Sequence, residues 1–61
     1  MNGEKLRNDR LKKGYTQEDY AKKLGVSHRT LKYWESGDIA IPPMKLMYIK
    51  SRIKKISPRA D

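Results

Sequence analysis

His28, Arg29, Lys32 and Tyr33 lie within one short segment, and all four can form hydrogen bonds, carry positive charge, or do both. On a helix that starts after Ser27 they fall on or near one side, while Thr30, Leu31 and Trp34 fall on the other. This set suits recognition better than catalysis. The Arg29 guanidinium can give two parallel hydrogen bonds to the O6 and N7 acceptors of guanine, the most discriminating single contact available to it. His28 can donate to guanine or to a phosphate, according to its tautomer. Lys32 can reach guanine or neutralise a phosphate, and Tyr33 can meet a thymine methyl or bond a phosphate. Plainer roles exist for His28 and Tyr33, as a solvent-facing helix-start histidine and a surface-packed tyrosine. No nucleophile or carboxylate stands in evident register with the single histidine, so no enzyme is expected.

Two short helices would present these groups. Thr16 precedes Gln17, Glu18 and Asp19, placing a capping hydroxyl and two carboxylates at the positive end of a helix. Tyr20, Ala21 and Leu24 form its apolar stripe, and Gly25 ends it by allowing a left-handed turn. Ser27 caps the next helix and Gly37 closes it. The spacing predicts helices over roughly 17–24 and 28–36, separated by a turn at Leu24-Gly25-Val26, the layout of a DNA-reading helix-turn-helix. The small Ala21 allows the steep, close crossing such a pair needs. A plain helical hairpin would not explain why the outward positions of the second helix are hydrogen-bonding or cationic. Gln17 can donate its amide to a phosphate oxygen, helped by the free amides at the helix start. Thr16, Ser27 and Ser36 are weaker phosphate ligands, since capping can occupy each. Lys5, Arg7, Lys12, Lys13, Lys22 and Lys23 read as a solvated face.

The flanking segments complete a small domain. A first helix should run from Gly3 or Glu4 to Lys13, with Asn2 as its cap and Gly14 as its stop. Its inner face rests on Leu6, the stem of Arg10 and the neighbouring Tyr15. Asp38-Ile39-Ala40-Ile41 is a loop with acidic and apolar residues, so it is poorly suited to touching phosphates. Ile39 and Ile41 can pack under the last helix or join a dimer surface. Pro42 and Pro43 stop the third helix and start a fourth. In that fourth helix Leu46, Ile49, Ile53 and Ile56 are spaced 3, 4, 3 like a coiled-coil seam. Met47 and its apolar neighbours are expected to complete the core. Tyr48, Ile53 and Ile56 either cover the end of the domain or form a symmetric dimer contact. Residues 1–56 form the domain and 57–61 a short tail. Residues 50–61 carry a net charge of +4, as much as residues 1–49 together. A solvated end and an additional phosphate contact are compatible roles for this tail.

A chain of 61 residues supports one domain with a small core, too little for a deep catalytic cleft. Fifteen basic against seven acidic residues give a net charge of +8 and a pI near 10.0, pointing to a polyanionic partner. Without cysteine, neither a disulfide nor a thiolate zinc site can supply stability, so helix packing must suffice. No cofactor, metal or small-molecule substrate is implied. The absence of a long apolar run or signal-type segment leads to the expectation of a soluble protein of the cytoplasm, on the nucleoid, with no membrane partner.

The combination Arg10, Gly14, Thr16-Gln17, Ala21, Leu24-Gly25-Val26-Ser27, Thr30-Leu31, Trp34-Glu35, Gly37 and Pro42 resembles the helix-turn-helix family of lambda and 434 phage repressors, Cro proteins and xenobiotic-response-element (XRE) regulators. The likeness spans Leu6 to about Ile49. It implies an all-α, four-helix lambda-repressor-like domain in which His28, Arg29, Lys32 and Tyr33 read base edges. It also implies a structural ion pair between Arg10 and Glu35, so that Arg10 is not a DNA ligand despite its charge. The resulting expectation is a double-stranded DNA-binding transcriptional regulator of phage or bacterial type, repressor or Cro-like, acting as a homodimer on an inverted-repeat operator. The alternative is an antitoxin or antirepressor in which the same fold faces a protein partner.

Overall fold

Asn2, Thr16 and Ser27 each turn a side-chain oxygen back onto an amide three residues ahead, that of Lys5, Asp19 and Thr30 respectively, and so begin three helices. Such caps satisfy donors that the helix itself leaves unpaired, each worth about 1 kcal/mol. The computed structural model describes residues 2–59, which form α1 (Gly3–Lys13), α2 (Gln17–Leu24), α3 (His28–Ser36) and α4 (Pro43–Lys55). Among the described residues there is no strand, and the all-α, four-helix expectation is met. The turn between α2 and α3 depends on Gly25, whose φ of 79° lies in the left-handed region where a side chain is strained. Its amide and that of Val26 both donate to the Ala21 carbonyl, closing the end of α2. Pro43 stands at the first position of α4, where its missing amide proton costs nothing.

The core joins Leu6 of α1, Tyr20, Ala21 and Leu24 of α2, Leu31 and Trp34 of α3, and Ile49, Ile53 and Ile56 from α4 and its end. Each fully buried aliphatic side chain contributes about 2 kcal/mol by leaving water. Helix α2 is central, packing against α3 and also against α4, while α1 lies on α3. The α1–α3 approach is close enough to exclude side chains. A Cβ on Gly3 would stand 1.8 Å from the Trp34 carbonyl oxygen.

Helix α4 corrects the assignment of its apolar residues. Ile53 and Ile56, expected either to cover the end of the domain or to form a dimer contact, are each only 9% exposed and belong to the chain's own core, which is the covering role. Met47, expected inside, is 79% exposed, and Met44 is 91% exposed. The reason is rotational. The 46, 49, 53, 56 series lines the helix face turned toward α2, which puts Met44 and Met47 outside. Tyr48 is half-exposed beside them. The loop is split in the same way, with Ile41 packed on the core and Ile39 exposed.

The chain beyond α4 returns to α1 and α2. Tyr15 donates its hydroxyl to the Ser57 carbonyl at 2.8 Å, and the Arg59 amide donates to the Lys13 carbonyl at 2.8 Å. The Arg59 guanidinium meets Asp19 at 3.0 Å. Residues 57–59 are therefore seated on the domain, while residues 60 and 61 of the tail lie outside the described part. No helix among the described residues is long and apolar enough to cross a membrane.

Candidate nucleic-acid interface

The surface around α3 is organised by a buried charge. Arg10 of α1 directs Nε to Glu35 Oε2 at 2.9 Å, Nη2 to Glu35 Oε1 at 3.1 Å and Nη1 to the Tyr15 carbonyl at 2.8 Å. The side chains of Arg10 and Glu35 are 10% and 2% exposed. All three arms of the guanidinium are thus engaged, which offsets the cost of taking two ions out of water. The pair spans α1 and α3 and leaves Arg10 turned inward.

From Glu35 the network continues outward. Gln17, the first residue of α2, donates Nε2 to Glu35 Oε1 at 3.2 Å, and its Oε1 stands 3.3 Å from His28 Nε2. An amide oxygen can only accept, so His28 carries its proton on Nε2 in this arrangement. One amide side chain therefore links the buried pair to the first residue of α3. Gln17 keeps a second amide proton for an outside acceptor, at a helix start whose dipole favours an anion.

The outward arc of α3 consists of His28, Arg29, Lys32 and Ser36, all exposed, with Tyr33 partly buried at its edge. The face opposite carries Leu31 and Trp34 into the core, and this amphipathic division leaves the His28, Arg29 and Lys32 side open to solvent. Thr30 lies at the margin. Its hydroxyl oxygen accepts a hydrogen bond from the Ser27 hydroxyl at 2.8 Å while its amide donates to Ser27 Oγ at 3.1 Å. Ser27 is consequently used in capping. Thr16 Oγ1 likewise accepts from the Asp19 amide at 3.1 Å, and Ser36 donates to the Tyr33 carbonyl at 3.1 Å.

A concavity between α1 and the ends of α2 and α3 is lined by Arg7, Gln17, Lys32, Glu35 and Ser36. Two cations and an amide surround a carboxylate whose charge Arg10 already balances, a setting that can hold a phosphate oxygen. By sequence Arg7 belongs with the solvated cations, and the structure places it at this concavity. The signal that separates it is its position three residues before Arg10, on the same side of α1. Asp38, in the loop after α3, is exposed and brings negative charge to this end of the molecule. Among the described residues no group of His, Asp and Glu side chains could hold a metal ion.

Comparisons with curated proteins and with solved structures give no match. A helix-turn-helix family model matches residues 6–49, a span that includes all of α2 and α3, the Arg10–Glu35 pair and most of the core. The chain therefore belongs to the XRE/Cro/C1-type helix-turn-helix family of DNA-binding regulators.

Proposed function

We propose that this DNA-binding regulator is a repressor or Cro-like protein that binds an inverted-repeat operator as a dimer. Residues 1–56 act as the binding domain, on the nucleoid of a bacterial or phage-infected cell. Arg29 reads a guanine, with His28, Lys32 and Tyr33 contacting the neighbouring base edges or phosphates. Gln17 anchors a phosphate at the start of α2, joined by Arg7 and the hydroxyls of Thr16, Ser27 and Ser36. The observation that carries this reading is the chain of contacts from Arg10 through Glu35 and Gln17 to His28. It sets the phosphate anchor and the base-reading helix in one rigid register, which is what discrimination between sequences demands. A bound repressor would act by covering the promoter.

Dimerisation is assigned to the outward side of α4, through Met44, Met47 and the exposed edge of Tyr48. Two copies held on one duplex are at high effective concentration, so a small apolar patch is enough to couple them. Two-fold symmetry then puts the half-sites about one helical turn apart.

Selection from a random DNA pool tests the proposal. Enrichment of an inverted repeat with that spacing is the expected outcome, and a pool that stays unenriched rejects sequence-specific binding. The exposed Met44 and Met47 also favour a second reading, an antitoxin or antirepressor using this fold to hold a protein. DNA binding with a negligible salt dependence would support that second reading, because phosphate neutralisation always produces a slope.

A further inference from the structure

The recognition surface uses few of the fifteen basic residues. A second concentration of charge lies where the C-terminal ends of α2 and α4 meet, on the side of α2 that faces α4 rather than α3. Two adjoining grooves there are lined by Lys22, Lys23, Arg52, Lys55 and Arg59. Among the described residues Asp19 is the only carboxylate lining either groove, and Arg59 engages it at 3.0 Å. The two grooves share no lining residue with the concavity beside α3.

We propose that this crevice is a second, sequence-independent binding surface for the phosphodiester backbone of a DNA duplex. A regulator seated on one duplex by α3 can therefore hold another segment of DNA through this separate set of side chains.

Several features fix the crevice in shape. Arg52 donates Nη2 to the Lys23 carbonyl at 2.8 Å, holding its guanidinium across the negative end of α2. Tyr15 forms part of both walls, its hydroxyl tied to Ser57, and the seated residues 57–59 close the end. Lys22, Lys23 and Lys55 are exposed, and among the described residues none of them is in an ion pair. Like charges gathered at one crevice repel each other until a polyanion releases that repulsion. The fit is to a duplex rather than to an acidic protein because long-stemmed cations dominate the lining, while the apolar groups beside them are a half-buried Tyr15, the buried Ile56 and the small Pro58 rather than exposed aromatic anchors. Such anchors dominate protein interfaces, whereas duplex DNA presents one charge per about 1.7 Å and needs no particular side-chain geometry.

The test is a bridging assay at about 0.1 M salt, where contacts beyond some 10 Å are screened. A mixed-sequence duplex is fixed to beads, the full chain is added, and capture of a fluorescent second duplex is read. The wild type should capture it, with capture falling steeply as salt rises. The Lys22→Gln/Lys23→Gln/Lys55→Gln variant should lose capture by about tenfold or more while still binding the bead-bound duplex. Should the variant lose all duplex binding, the crevice stands as a DNA surface and it is the α3 face that fails. Absence of bridging by the wild type overturns the proposal, as does bridging that the variant retains, which would assign it to the two recognition faces of a dimer. Polyglutamate that displaces the second duplex at lower charge concentration than competitor DNA would reassign the crevice to an acidic protein and also overturn it.

Discussion

Arg29 is exposed on the outward arc of α3, near the positive start of a helix that Ser27 caps. As a base reader it should be worth about 1–3 kcal/mol, so Arg29→Ala is expected to weaken the selected operator by that amount and relax preference at one base pair. Competition with single-base operator variants checks this, and equal weakening for every sequence would make Arg29 a phosphate ligand. Arg10 illustrates the opposite case of a cation removed from the surface. Arg10→Met leaves the Glu35 carboxylate buried with only Gln17 for company and should cost about 3–5 kcal/mol in urea unfolding. Replacing both members, as Arg10→Met/Glu35→Leu, should restore much of that stability, and no recovery would show that the pair carries more than its own charge. The individual signals of capping and turning were legible in the sequence because Asn2, Thr16, Ser27 and Gly25 act within three or four residues of themselves. The Gln17–His28 link was not, since its geometry depends on how α2 crosses α3.

Helix boundaries follow from those local signals, but the facing of each helix follows from packing. Helix α2 shows both, its stripe of Tyr20, Ala21 and Leu24 being readable from periodicity and fully buried in the fold. Helix α4 shows the limit. Its apolar residues cover so much of the circumference that periodicity alone did not say which ones face inward, and only contact with α2 turns Ile49, Ile53 and Ile56 to the core. The Arg10–Glu35 pair announces that α1 meets α3, but the backbone approach at Gly3 was hidden, because nothing in the sequence marks Gly3 as a point of close contact. Gly3→Ala should therefore force α1 and the end of α3 apart and lower the melting temperature, with an unchanged value excluding the close approach. Between α1 and α2, the Tyr20 hydroxyl donates to Asp9, which also meets Lys13 at 3.0 Å. Burial first, and then the bond to Asp9, pushes the Tyr20 hydroxyl well above its ordinary pKa of 10.0. A raised folded pKa means the folded chain holds its proton longer than the unfolded chain. The resulting stability is complete below pH 10.0 and declines as pH rises toward the folded value. Tyr20→Phe should thus be less stable than wild type at neutral pH, with the difference narrowing above about pH 10; a constant difference in denaturant unfolding would rule out the coupling.

For the whole molecule, the burial of Ile53 and Ile56 selects the role of covering the domain's end, one of the two readings their spacing leaves open. A small domain has little stability to spare, and a charge placed at Ile53 would lie in the core with no partner. Ile53→Glu should unfold the chain, with loss of helical circular dichroism. Met47, on the other side of the same helix, separates folding from association. Met47→Glu removes no core contact, so helical content and binding to a single half-site should stay at wild-type levels. Binding to the full inverted repeat should fall by about tenfold, the loss of roughly 1.4 kcal/mol of coupling between two copies. Each copy carries a formal charge of +8, so two copies repel in free solution and DNA neutralises part of that repulsion. The coupling should consequently be stronger on the operator than in its absence. Sedimentation of the wild type with and without a full-site duplex measures that difference directly. If Met47→Glu binds the full site as tightly as wild type does, the exposed side of α4 is not where the copies meet.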